Sequence, residues 1–96
     1  MKMILMVADA SRLDAIRREL AELDAPGYTL LSVLEGAGKT GLHAGDRVHP
    51  GGLVTLFMVE ADDGRASKLF DHLIERRNFA GDRITRLFLL PIERQA

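Results

Sequence analysis

The stretch Gly36-Ala37-Gly38-Lys39-Thr40-Gly41 sets three glycines around a lysine and a threonine. That composition lets backbone amides approach an anion closely while an ammonium and a hydroxyl reach its oxygens. A phosphate-binding P-loop would need a glycine five positions before Gly38, where Val33 stands, and a helix directly after Thr40, where Gly41 and Leu42 follow. The P-loop is excluded, leaving a looser anion-binding loop to weigh against a solvated hairpin tip. His43, Asp46 and His49 follow, two imidazoles and a carboxylate able to converge on a divalent metal, although their spacing matches no recognised ligand signature. Around Gly81-Asp82, four arginines fall within eleven positions: Arg76, Arg77, Arg83 and Arg86. Guanidinium forks match phosphate oxygens bidentately, while cations such as Arg76 and Arg77 also offset the negative end of a helix. The absence of cysteine removes disulfides, thiolate metal sites and thiol nucleophiles together. No Ser, His and acid arrangement stands out and His72 reads as a helix-surface or packing residue, so no catalytic residue is assigned and a non-enzymatic protein is expected.

Short elements must position these groups. Lys2 to Val7 is a six-residue apolar run matching a buried strand. Ser11 then reads as a cap, and Leu13, Ile16, Leu20 and Leu23 recur at helical spacing until Pro26-Gly27 stops the helix. Tyr28 to Leu34 has the β-branched and aromatic content of a second strand. The grammar then repeats: Leu53 to Val59 as a strand, Asp62 or Asp63 as an N-cap, Leu69, Phe70, Leu73 and Ile74 as one helical face, and Thr85 to Leu90 as a final strand. Two βαβ halves in so short a chain predict an α+β, ferredoxin-like double split βαβ sandwich, a four-stranded antiparallel sheet with two helices on one face. Positions 35–52 connect the halves, hold six of the nine glycines and two of the three histidines, and exceed the roughly 12–15 residues beyond which an unstructured loop is usually functional.

The 96 residues make a single domain, 1–96. Thirteen basic residues against fourteen acidic ones, a net charge of −1, argue against nonspecific binding to nucleic acid or anionic lipid. The first strand has no aromatics and Phe57 stands alone on the third, so the base-stacking platform of an RNA-binding sheet is missing. The apolar start is too short for a signal peptide or a membrane span, which makes a cytoplasmic protein without membrane insertion the expectation. The strand runs are nearly continuously apolar, as expected when both faces of a sheet are covered.

With these segments in order, the chain resembles the nitrogen regulatory protein P-II superfamily over nearly its whole length. The resemblance rests on the opening Met-Lys-Met-Ile, the Leu13-Asp14-Ala15-Ile16-Arg17-Arg18-Glu19-Leu20 helix, Gly36 to Gly41 after the second strand, Gly81-Asp82, and the closing Leu89-Leu90-Pro91-Ile92-Glu93. It implies a homotrimer with its sheets inward, acting in signalling. It further implies an adenine nucleotide effector (ATP, ADP or AMP) in the clefts between subunits, and the long loop presented to a regulated protein partner. Carried over by position, Gly36, Gly38, Lys39 and Thr40 correspond to the loop base near the phosphates, and Gly81, Asp82 and Arg83 to a second phosphate-contacting turn. Arg83 and Ile84 replace the glycine and lysine that follow Gly-Asp in the family, and the loop has no tyrosine to modify, the single one being Tyr28. The alternative is a divalent-metal-binding or metal-tolerance protein of the same trimeric architecture, using His43, Asp46 and His49.

Overall fold

Alternation along the strands decides which side chains enter the core. In the computed structural model, which describes residues 1–33, 37, 38, 41, 42 and 52–96, the long strands are β1 (Lys2–Asp9), β2 (Tyr28–Val33), β5 (Leu53–Glu60) and β6 (Arg86–Pro91). Two-residue strands β3 (Ala37–Gly38) and β4 (Gly41–Leu42) lie between β2 and β5, and the helices are α1 (Leu13–Glu22) and α2 (Asp63–Phe79). The large sheet runs β2-β5-β1-β6 with every neighbouring pair antiparallel, the ferredoxin-like order that the repeated pattern predicts. Ile4, Met6 and Ala8 of β1 and Val54, Leu56 and Met58 of β5 are buried against Ile16, Leu20, Leu69 and Leu73 of the two helices, all on one face of the sheet. Emptying such a site by Leu→Ala costs about 2–5 kcal/mol.

The opposite face carries Met3, Leu5 and Val7, whose partners across the β6 ladder are Leu90, Phe88 and Arg86. Leu31 is 52%, Phe88 45% and Leu90 41% exposed there. An antiparallel sheet with one wet face normally alternates apolar with polar residues; here the helix-free face is largely apolar as well, with Arg86, Thr29 and Thr55 as exceptions.

Two helix boundaries differ from the sequence reading. Ser11 is not the cap of α1: the Asp9 carboxylate accepts from the Ser11 amide at 2.8 Å and opens a 3-10 turn, Ala10–Arg12, from which α1 continues at Leu13. The short acidic side chain ending the strand reaches the first orphan amide before the serine can. Pro26-Gly27 does not stop the helix either. Asp24 takes the left-handed conformation at φ 52°, with the Asp24 amide bonded to the Ala21 carbonyl at 3.2 Å and the Ala25 amide to that of Leu20 at 3.0 Å. This is a Schellman ending with aspartate where glycine is the usual occupant, a placement costing roughly 1 kcal/mol relative to glycine. In α2, Asp62 is the N-cap, its carboxylate accepting from the Arg65 amide at 2.8 Å.

Candidate functional site

α2 also ends in a Schellman motif. Gly81 stands at φ 69°, its amide bonded to the Asn78 carbonyl at 3.1 Å and the Asp82 amide to that of Arg77 at 3.1 Å. Glycine is the residue the backbone favours at this point. The chain then turns sharply into β6, and the Asp82 side chain shapes that turn. One carboxylate oxygen accepts from the Ile84 amide at 2.9 Å and the Thr85 amide at 3.0 Å. The other accepts from the Thr85 hydroxyl and, at 3.2 Å, from Arg12 Nε.

Only 5% of the Asp82 side chain is exposed. Burial pushes its carboxyl up, but the hydrogen bonds from the Thr85 hydroxyl, the Thr85 and Ile84 amides and the Arg12 guanidinium outweigh that and hold it below the usual carboxylate range. Arg12 also reaches Glu19 through Nη2 at 3.3 Å, so one guanidinium fastens the start of α1 to the turn. Beneath it, between Met6, Ile16, Leu73 and Leu87, a space of only about 10 Å³ remains. A ligand can meet this turn from its outer side alone.

The arginines of the neighbourhood have separate employments. Arg76 pairs with Glu22 of α1 at 2.6 Å. Arg77 bonds to the Asn78 side chain and to the Thr85 carbonyl at 3.4 Å. Arg86 reaches back to the Arg83 carbonyl at 3.1 Å. Arg83 is exposed, and among the described residues neither its guanidinium nor its amide N–H has a hydrogen-bond partner. With the Asp82 charge compensated by Arg12 from below, the outer surface of the turn is cationic through the exposed Arg83 and Arg86, which favours an anion.

Of the other sequence-nominated positions, Gly38 lies in β3, paired with Gly41 of β4. Gly36, Lys39 and Thr40 lie outside the described residues, as do His43, Asp46 and His49. Among the described residues no three His, Asp or Glu side chains gather as a metal site, and no helix is long and apolar enough to cross a membrane. His72 is an exposed helix residue, with Nδ1 3.9 Å from Glu75. The sequence reading missed Arg12 and Thr85. The spacing Asp82-Arg83-Ile84-Thr85 is an Asx-turn signal for Thr85; nothing in the sequence pairs Arg12 with a residue 70 positions away.

A family model for nitrogen regulatory protein P-II matches residues 1–95. Among solved structures, the chain is similar to CPII, a nitrogen regulatory PII-like protein from Thiomonas intermedia K12 solved with ADP, AMP and bicarbonate bound. The identity is 17%, the TM-score 0.69, and the match covers 95% of this chain and 90% of that one. At that identity the likeness establishes the fold. No curated protein matches significantly.

Proposed function

The chain belongs to the nitrogen regulatory protein P-II family, and from that premise we propose that it is a non-enzymatic, homotrimeric regulator that binds an adenine nucleotide between subunits. The observation that carries this reading is Arg83. Its amide and guanidinium are both unengaged among the described residues, and they lie on a turn held rigid by Asp82 and open on its outer side alone. Two donors on one residue suit a terminal phosphate, and a charged hydrogen bond of this kind contributes about 1.5–3 kcal/mol. In this family turn Arg83 stands in for the missing lysine. The ADP and AMP bound by the similar Thiomonas protein support the ligand class.

The apolar sheet face supports the assembly. Leu5, Leu31, Phe88 and Leu90 would be covered by copies of the same face, which removes from water a surface that a monomer leaves wet. Gly36, Gly38, Lys39 and Thr40 supply the base of the long loop, and a ligand that favours one loop state over another changes what positions 35–52 present to a protein partner.

Calorimetric titration of ATP, ADP and AMP into the wild-type protein and Arg83→Gly tests the reading. Binding of at least one nucleotide is expected, weakened about 10–150-fold by the substitution. Tighter binding to Arg83→Gly would make Arg83 an obstruction, and no binding of any of the three at millimolar concentration removes the nucleotide from the proposal.

A further inference from the structure

A second opening lies along the N-terminal half of α2, where Arg65, Lys68, Leu69 and His72 stand roughly 14–24 Å before the Gly81-Asp82 turn at ~1.5 Å per residue. It has a volume of about 170 Å³ between the turn that ends α1 and the first turns of α2, with Leu23, Pro26 and Leu69 supplying apolar walls. Drug-sized sites run to roughly 300–1,000 Å³, so this one suits a smaller molecule.

Four charged side chains line the opening besides His72. Arg65 and Glu60 face each other at 3.6 Å and offset one another. Asp24 and Lys68 are left, and neither side chain has a hydrogen-bond or ion-pair partner among the described residues. Asp24 is also the residue held at φ 52°, where glycine would close α1 with less strain. The chain therefore keeps a carboxylate at this rim against the preference of its own backbone.

We propose that the opening binds a small zwitterion of the α-amino-acid class, its ammonium on Asp24, its carboxylate on Lys68 and its short side chain against Leu23, Pro26 and Leu69. The charge pattern selects for both groups at once. A simple anion meets the Asp24 carboxylate, a simple cation meets the Lys68 ammonium, and only a ligand carrying both charges is favoured at each end. This proposal is independent of nucleotide binding at the Gly81-Asp82 turn.

The test is an amide ¹H–¹⁵N NMR titration of the full chain with L-alanine and L-leucine, and with propionate and propylamine as singly charged counterparts. Saturable shifts at Leu23, Asp24, Lys68 and Leu69 are expected for the amino acids at about 1–10 mM, with at least roughly tenfold weaker binding of either counterpart. Asp24→Gly should lose amino-acid binding at least about tenfold while its Tm rises by roughly 3–6 °C, because the backbone strain goes with the carboxylate. Lys68→Met should lose binding with Tm unchanged. No saturable shift with either amino acid, equal binding of propionate or propylamine, or undiminished binding by Asp24→Gly would each overturn the proposal.

Discussion

Arg12 and Asp82 stand 70 residues apart in the chain and meet at 3.2 Å, Nε to Oδ2. The contact joins the start of α1 to the turn between α2 and β6. It also supplies positive charge under a carboxylate that would otherwise repel an anion at Arg83. The same pair therefore contributes to the stability of the turn and to its electrostatics.

Removing the carboxylate leaves the Ile84 and Thr85 amides, the Thr85 hydroxyl and Arg12 without their acceptor. Asp82→Ala is expected to cost about 2–4 kcal/mol in urea denaturation. Asp82→Asn should cost less, since an amide oxygen still accepts from the two backbone amides while its NH₂ faces Arg12. Equal stability of Asp82→Ala and wild type would show that solvent replaces the network at no cost.

The depressed pKa of Asp82 gives a pH dependence whose sign is fixed. Between the folded value and the unfolded value of ~3.9 the unfolded chain binds more protons, so the contribution is complete above about pH 5 and is lost as pH falls through ~3.9 towards the folded value. Position 82 does not titrate in Asp82→Asn, so the stability gap between wild type and this variant should narrow from about pH 6 to pH 3. A gap that stays constant across that range would separate the carboxylate charge from the stability of the turn.

Gly81 provides a backbone test. A Cβ built there meets nothing within 4 Å, so Gly81→Ala reports the left-handed φ of 69° alone and should destabilise by roughly 1 kcal/mol. A loss above about 3 kcal/mol would require a steric clash that the open surroundings of Gly81 do not contain.

The helix-free sheet face is tested by charge. Phe88, opposite Leu5 in the ladder and 45% exposed, tolerates glutamate in an isolated chain but not beneath a covering subunit, where an unpaired charge is costly. Sedimentation should show about 32 kDa for three copies of the 10.6 kDa chain, and Phe88→Glu should move the protein towards the monomer. A wild-type monomer at micromolar concentration would remove the trimer and the inter-subunit nucleotide cleft together.

What the sequence by itself determined is local. The apolar runs at Lys2 to Val7 and Leu53 to Val59 and the helical spacing of Leu13, Ile16 and Leu20 depend on neighbours within a few positions, and each of these elements lies where its pattern puts it. The nearly continuous apolar character of the strands likewise pointed to a sheet with two largely apolar faces, because side-chain period and strand geometry are coupled residue by residue. The tertiary structure decided which long side chains meet. Arg12 could have remained on the wet face of its helix; packing α1 and α2 on the same sheet brings it to Asp82 and makes that carboxylate the internal support of the turn. Nothing in the sequence singles out Asp24, and only the folded chain shows it taking a glycine's conformation beside an opening that Lys68 also lines. Hydrogen bonds and ion pairs across tens of residues leave no periodic trace, since they depend on the relative placement of whole elements, which the packing of the common core sets.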